Sequence, residues 1–232
     1  MVRTPRVIVV RHGETEWSLS GQHTGLTDLP LTENGIKLCK ETAKEVVGEG
    51  KLIDPTRVSH IFVSPRQRAQ TTFKLMFDGH NIPPYSTDED VREWDYGDCE
   101  GKTTTDIKKA LGPTWDIFAD GCPNGDSPTS MTARVDRLVS KIKNIHMSWY
   151  SHCDSGPDFE TLKREAIEGR GGDVLIFSHG HYTKCFLARW AELDIGFGRV
   201  FVTGAGSIQV CGYQHKMLEE VAIEALNWYS QG

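Results

Sequence analysis

The strongest constraint on the fold is the run Val7-Ile8-Val9-Val10 and the way it stops. Four β-branched residues in succession predict a strand buried on both faces, of the kind found inside a parallel sheet. The run ends at Arg11-His12-Gly13, so a cation, an imidazole and a flexible residue sit where the strand leaves the sheet. In open α/β sheets, ligands bind outside the carboxyl ends of strands. Arginine offers a planar fork of donors that fits phosphate oxygens in pairs. Histidine can act as nucleophile, base or acid near neutral pH. An Arg-His pair after one strand would by itself be an ordinary turn, but the pattern recurs. The β-rich run His60 to Val63 leads into Ser64-Pro65-Arg66-Gln67-Arg68, and Val174-Leu175-Ile176 leads into Phe177-Ser178-His179-Gly180-His181. Three strand ends carrying Arg or His imply one shared anion pocket.

The remaining elements follow from spacing. Ser18 to Pro30 is polar and Gly-rich, hence loop. Thr32 is an N-cap candidate for a helix with Ile36, Cys39, Ala43 and Val46-Val47 on one face, stopped by Gly48 and Gly50. Ser59 to Val63 predicts a strand and Gln67 to Phe77 a helix. Ile82 to Asp90 contains Pro and is a loop or a short edge strand. Val91 to Gly101 has no clear period. Thr103 opens a helix that Gly112-Pro113 closes, and Trp115 to Pro128 is irregular and dense in turn residues. Ser130 to Tyr150 predicts the longest helix, and Asp154 to Gly172 a charged surface excursion with one short helix. Asp173 to Phe177 is a central strand, His181 to Leu193 a helix and Ser207 to Tyr213 the last clear strand. Glu219 to Trp228 fits either helix or extended chain.

Composition narrows the function. A formal net charge of −6 argues against nucleic acid or an anionic membrane as partner, and it requires that the arginines serving an anion be gathered in one place. No stretch approaches the ~18 apolar residues that a membrane helix needs. Met1 to Pro5 leads directly into the first strand, so no signal peptide is expected. The cysteines 39, 99, 122, 153, 185 and 211 are scattered, without C-x-x-C or zinc spacing. They are expected to be reduced, and the protein cytoplasmic. Nothing has metal-ligand spacing, so no metal and no cofactor are expected.

Arg11-His12-Gly13-Glu14-Thr15-Glu16-Trp17, Leu31-Thr32-Glu33-Asn34-Gly35, Ser64 to Thr72, Arg92-Glu93-Trp94-Asp95-Tyr96-Gly97 and Ser178-His179-Gly180-His181 occur in that order. Together they resemble the histidine phosphatase superfamily, with its phosphoglycerate mutase-like fold, over about Arg6 to Tyr213. The resemblance implies an α/β, three-layer αβα sandwich around a mostly parallel mixed sheet. It also implies a single domain over residues 1–232, with loop insertions around 78–130 and 151–172. It makes His12 the nucleophile that becomes phosphohistidine, Arg11 and Arg68 the clamp on the phosphoryl group, His179 a further phosphoryl contact and Glu93 the general acid. Arg66 is assigned to the rim, and Asp95 is the alternative acid. Candidate substrate-binding residues are Thr15 and Ser18, then Gln22, His23 and Thr24 in the loop that covers the substrate, and Ser64, Tyr96, Gly180, His181 and Lys184.

The mutases of this family hold a second anionic group with a lysine after the acid motif and an arginine pair further on. Here Lys102 is displaced by two, and Trp115 to Pro128 contains no arginine, so hydrolysis is expected instead. Trp17 to Thr32, Arg92 to Asp98 and Asp120 to Gly125 resemble the fungal sedoheptulose-1,7-bisphosphatases. The departures are His23 in place of a tyrosine and a shorter segment between Trp190 and Gly206. The expectation is a phosphatase of a small phosphorylated sugar, with Lys184 available to a second phosphate. Alternatives are a sugar or sugar-alcohol monophosphatase, a phosphoprotein phosphatase or a catalytically silent phospho-binding relative. A sugar site should be closed by the 18–30 and 112–128 loops. Many relatives dimerise, so a homodimer is possible.

Overall fold

The computed structural model describes residues 4–154 and 171–229. Six strands form one mixed sheet. In chain order they are β1 (Val7–Arg11), β2 (Val58–Val63), β3 (Tyr85–Thr87), β4 (Asp173–Ser178), β5 (Ile208–Tyr213) and β6 (Val221–Trp228), and their order across the sheet is β3-β2-β4-β1-β5-β6. β3, β2, β4 and β1 are parallel, while β5 and β6 are antiparallel to their neighbours. The expected α/β sandwich with a mostly parallel mixed sheet is the observed one.

The helices are α1 (Glu16–Ser20), α2 (Glu33–Val46), α3 (Gln67–Met76), α4 (Thr104–Leu111), α5 (Ile117–Asp120), α6 (Pro128–Asp154) and α7 (Gly180–Trp190), with short 3-10 turns between them. Side chains alternate across a strand, and β1 divides its residues between the two outer layers accordingly. Ile8 and Val10 join Ala43, Val46, Phe73 and Met76 from α2 and α3. Val7 and Val9 join Val135, Leu138, Ile142, Tyr182 and Phe186 from α6 and α7. The four aliphatic residues of β1 are essentially inaccessible to solvent. At ~1.5–3 kcal/mol for each fully buried aliphatic side chain, this strand is a main contributor to the core.

Register aligns the strand ends. Arg11 pairs with Ser178 and Val63 with Phe177. Just beyond, the His12 N–H donates to the Ser178 carbonyl at 2.9 Å and the Ser64 N–H to the Phe177 carbonyl at 3.0 Å. Three motifs from residues 11–13, 64–68 and 178–181, far apart in sequence, thus meet at one level of the sheet.

Several boundaries differ from expectation. The 18–30 loop is preceded and partly replaced by α1, because the Thr15 hydroxyl accepts from the Ser18 N–H while the Ser18 hydroxyl returns to the Thr15 N–H, a local capping box. The Trp115–Pro128 segment contains the one-turn α5, capped by the Asp116 carboxylate. α6 is longer at both ends than the predicted helix, and α7 stops at Trp190 rather than Leu193. Thr32 caps α2, accepting from the Gly35 N–H, as expected. The Pro-containing stretch before Asp90 holds edge strand β3, and the ambiguous tail is strand β6. The excursion expected over 154–172, with its short helix, lies almost wholly outside the described residues. Cys39, Cys99, Cys122, Cys185 and Cys211 are free thiols and buried. Among the described residues no helix is long and apolar enough to cross a membrane.

Candidate active site

Above the ends of β1 and β4 lies a cavity of about 300 Å³. Of the residues picked from the sequence, Arg11, His12, Thr15, Ser18, Gln22, His23, Thr24, Glu93, Tyr96, Gly180, His181 and Lys184 line it. Ser64, Arg68 and His179 do not. They are fully buried and form a layer behind His12. Arg66 and Asp95 are likewise absent from the wall.

His12 occupies the centre. Its Nδ1 lies 2.7 Å from the Gly13 carbonyl. A carbonyl oxygen only accepts, so Nδ1 carries the proton and Nε2 is left as a bare lone pair. The ring is held uncharged, with its pKa well below the usual histidine value, first by burial and then by the positive charges of Arg68 and Arg11. Next to it, Arg11 donates to the Thr203 carbonyl at 2.5 Å, but its Nε is buried with no hydrogen-bond partner among the described residues. An orphaned guanidinium donor beside a neutral imidazole suits an incoming anion, since an unpaired buried donor is costly. The first residue of α7 is a glycine because the helix starts against this arginine: a Cβ on Gly180 would lie 3.2 Å from the guanidinium carbon.

Behind His12, the His179 ring meets it edge-on at 5.1 Å. Its Nδ1 accepts from Arg68 Nε at 3.1 Å, so Nε2 carries the proton and faces the Ser64 hydroxyl at 2.7 Å. Burial, with the charge of Arg68, holds this ring neutral too. Arg68 spends its other hydrogen bonds on the covering loop, donating to the carbonyls of Thr24, Gly25 and Thr27 at 2.8 to 3.1 Å. In this state Arg68 and His179 act on the cavity through the loop and through His12.

Glu93 comes from an irregular stretch yet is tightly placed. Its carboxylate accepts from the backbone N–H groups of Trp94 (2.8 Å), His181 (3.0 Å) and Tyr182 (2.8 Å), the last two at the start of α7. The segment carrying it is fixed from behind. Buried Arg134 donates to the carbonyls of Arg92 (2.5 Å) and Glu93 (3.2 Å) and pairs with Asp126 at 2.7 Å.

The loop over the cavity is fastened rather than loose. Its His23 exchanges backbone hydrogen bonds with Gly101 and Lys102, and the Gln22 amide donates to the Gly101 carbonyl at 2.8 Å. The Glu100 carboxylate receives the N–H groups of Gly25 and Thr27 at 2.9 to 3.0 Å. Arg68 holds the same residues by their carbonyls. From the other side, Trp115 packs near His23 and Phe118 near His181. Lys184, half-buried on α7, also faces the cavity and has no hydrogen-bond or ion-pair partner among the described residues. Its pKa is lowered by burial and by Arg11.

Sequence reasoning missed Trp17, Gly21, Thr104 and Thr203 in the wall. It also missed Glu100 and the Asp126–Arg134 pair. Thr203 had a signal, the Gly204-Ala205-Gly206 run beside it, but only the antiparallel direction of β5 brings that turn to the end of β1. Glu100 had none, because its partners are backbone N–H groups, and Arg134 none, because besides Asp126 it binds the carbonyls of Arg92 and Glu93. Among the described residues no group of three or more His, Cys, Asp or Glu side chains is placed to hold a metal ion.

The family model for the histidine phosphatase superfamily (branch 1) matches residues 7–150. The chain is 37% identical over 209 residues to sedoheptulose 1,7-bisphosphatase of Saccharomyces cerevisiae, covering 83% of this chain and 69% of that protein. It is 33% identical over 230 residues to an acid phosphatase of Mycobacterium tuberculosis, covering 99% and 97%. Among solved structures, the product of an open reading frame of Mycobacterium tuberculosis superposes with a TM-score of 0.74 at 30% identity, covering 97% of this chain and 98% of that one. The chain belongs to branch 1 of the histidine phosphatase superfamily and is a phosphatase.

Proposed function

We propose that this enzyme hydrolyses a phosphorylated sugar through a phosphohistidine on His12, without a metal ion. The observation that carries the reading is the His12 tautomer: Nδ1 is tied to Gly13, and Nε2 is bare beside the unpaired Nε of Arg11. Phosphoryl transfer asks for an in-line nucleophile, donors for the equatorial oxygens and an acid for the leaving alcohol. In the first step His12 Nε2 attacks phosphorus, the P–N bond forms, the P–O bond to the sugar breaks, and Glu93 gives its proton to the departing alkoxide. In the second, Glu93 takes a proton from water, the oxygen attacks phosphorus, and the P–N bond breaks to release inorganic phosphate. Arg11 neutralises charge on the phosphoryl oxygens, and Arg68 and His179 keep the His12 ring and the covering loop in position.

For the substrate, a sugar bisphosphate of the sedoheptulose-1,7-bisphosphate type is the first choice. Lys184 supports it, as a second cation facing the cavity without a partner among the described residues, and so does the 37% identity to the yeast bisphosphatase. The second reading is a sugar or sugar-alcohol monophosphate. The cavity volume of about 300 Å³ favours it, lying at the compact end for ligand sites. The 22–27 loop over the cavity speaks against a phosphoprotein substrate, while Trp115 and Phe118 pack against His23 and His181 without lining the cavity, so the closure expected of the 112–128 loop is only indirect. The cavity speaks against a mutase reading, because no residue between 112 and 128 lines it and Lys102 meets His23 only through its carbonyl.

The test is phosphate release from a panel of sugar and polyol mono- and bisphosphates, with chelator present, by wild type and His12→Ala. Turnover of bisphosphates that the substitution abolishes is expected. Turnover confined to monophosphates would keep the chemistry and replace the substrate. No turnover of any ester by wild type would overturn the reading in favour of a silent phospho-binding protein.

A further inference from the structure

One wall of the cavity is made of two imidazoles whose role the phosphoryl chemistry leaves open. His23 and His181 stack at 5.5 Å with 16° between the ring planes. Tyr96 meets the His23 ring edge-on at 4.8 Å, and its hydroxyl bonds to His181 Nδ1 at 2.7 Å. The His23 ring therefore has one orientation, and its tautomer is fixed as well. Nδ1 lies 2.9 Å from the Lys102 carbonyl, so Nδ1 carries the proton. Burial keeps the ring from taking a second one near neutral pH. Nε2 is then a lone pair on a residue that lines the cavity, and among the described residues it has no hydrogen-bond partner.

That lone pair restricts what can sit beside it. A phosphoryl oxygen of a dianion brings no hydrogen and would be repelled. A keto oxygen also brings none, and an aryl or alkyl group would leave the nitrogen desolvated and unpaired, which costs binding. A hydroxyl group satisfies it. Arg11 and Lys184 in the same cavity are the complementary donors, placed for the anionic part.

We propose that His23 Nε2 accepts a hydrogen bond from a hydroxyl on the alcohol portion of the substrate, and so makes the enzyme selective for polyhydroxylated phosphate esters over aryl and alkyl ones. This deepens the sugar-phosphatase reading and rests on it.

The experiment compares kcat/KM on a sugar phosphate and on p-nitrophenyl phosphate for wild type, His23→Phe and His23→Gln. Phenylalanine keeps the ring stack and removes the lone pair, whereas glutamine offers a carbonyl oxygen in its place. The sugar-to-aryl ratio should fall ~10-fold or more in His23→Phe, chiefly through KM for the sugar, and recover in part in His23→Gln. An unchanged ratio overturns the proposal, whether both rates fall together or neither falls. Wild-type enzyme gives an arm free of folding effects. Among analogues of a turned-over sugar phosphate that each lack one hydroxyl, one should lose ~10-fold in kcat/KM, and equal turnover of all of them overturns the proposal. Wild type that hydrolyses no phosphate ester would overturn the site reading and this proposal with it.

Discussion

At the scale of single residues, the site depends on which nitrogen or oxygen is already occupied. His12, His179 and His23 each have one ring nitrogen engaged by a group of fixed donor or acceptor character, so their tautomers follow from geometry. Glu93 is engaged differently: three backbone N–H groups set its position, and the task the proposed mechanism gives it is to protonate the leaving oxygen. That task can be tested through the leaving group. Glu93→Gln should lose ~10²-fold or more in kcat on a sugar phosphate, whose alkoxide needs the proton, and much less on p-nitrophenyl phosphate, whose phenolate does not. Equal losses on the two esters, measured side by side, would remove Glu93 from the role of acid.

At the scale of elements, parallel strands place the chemistry and paired loops hold it. The 95–98 segment lies against 123–126, with Asp126 N–H on the Asp95 carbonyl (2.8 Å) and Asp98 N–H on the Pro123 carbonyl (2.9 Å). Gly97 has φ +46°, and a Cβ there would fall 2.2 Å from the Pro123 carbonyl oxygen. Gly97→Ala must separate these two segments, and thermal unfolding should report a loss of more than ~2 kcal/mol; an unchanged Tm would contradict the pairing. Elements carried by strong local signals were legible in the sequence. The apolar, β-rich runs at Val7, Ile61 and Val174 point to strands β1, β2 and β4, and Thr32 and Thr103 to helix starts. What was not legible depends on contacts distant in sequence or on backbone partners. β6 is a strand because β5 offers it an edge; its burial alternates from Ile223 to Trp228, but Leu226 and Trp228 stand on the exposed face and hide that period in the sequence. The burial of Arg68 and His179 behind the cavity, rather than in its wall, follows from the carbonyls of Thr24, Gly25 and Thr27 taking the guanidinium, which no motif encodes.

At the scale of the whole molecule, the site burdens the fold with buried, uncharged histidines. Burial lowers the pKa of His12, His23, His179 and His181, and it takes His146 in the core down to about 3. An unfolded histidine binds a proton near pH 6.5, while these rings in the fold bind one only at lower pH. Below pH 6.5 the unfolded chain therefore holds more protons, and stability must drop as pH falls, by up to ~1.4 kcal/mol per pH unit for each such ring. Above pH 6.5 this contribution is flat. Asp126 works in the same sense at lower pH: against the upward push of burial, the Asp95 N–H and Arg134 keep its pKa below 3.8, so the stabilisation it gives near neutral pH is lost as pH falls below about 3.8. Thermal unfolding followed from pH 8 to pH 5 should show a plateau and then a steep decline in Tm; a flat profile to pH 5 would mean that the histidines are charged or exposed. The central claim, that His12 carries the phosphoryl group, is tested most directly by rapid quench after mixing enzyme with a substrate labelled in its phosphate. The account predicts one phosphoryl group per chain, stable in alkali, labile in acid and absent from His12→Ala. A turning-over wild-type enzyme that yields no labelled protein at any quench time, or a label that persists in His12→Ala, would contradict it.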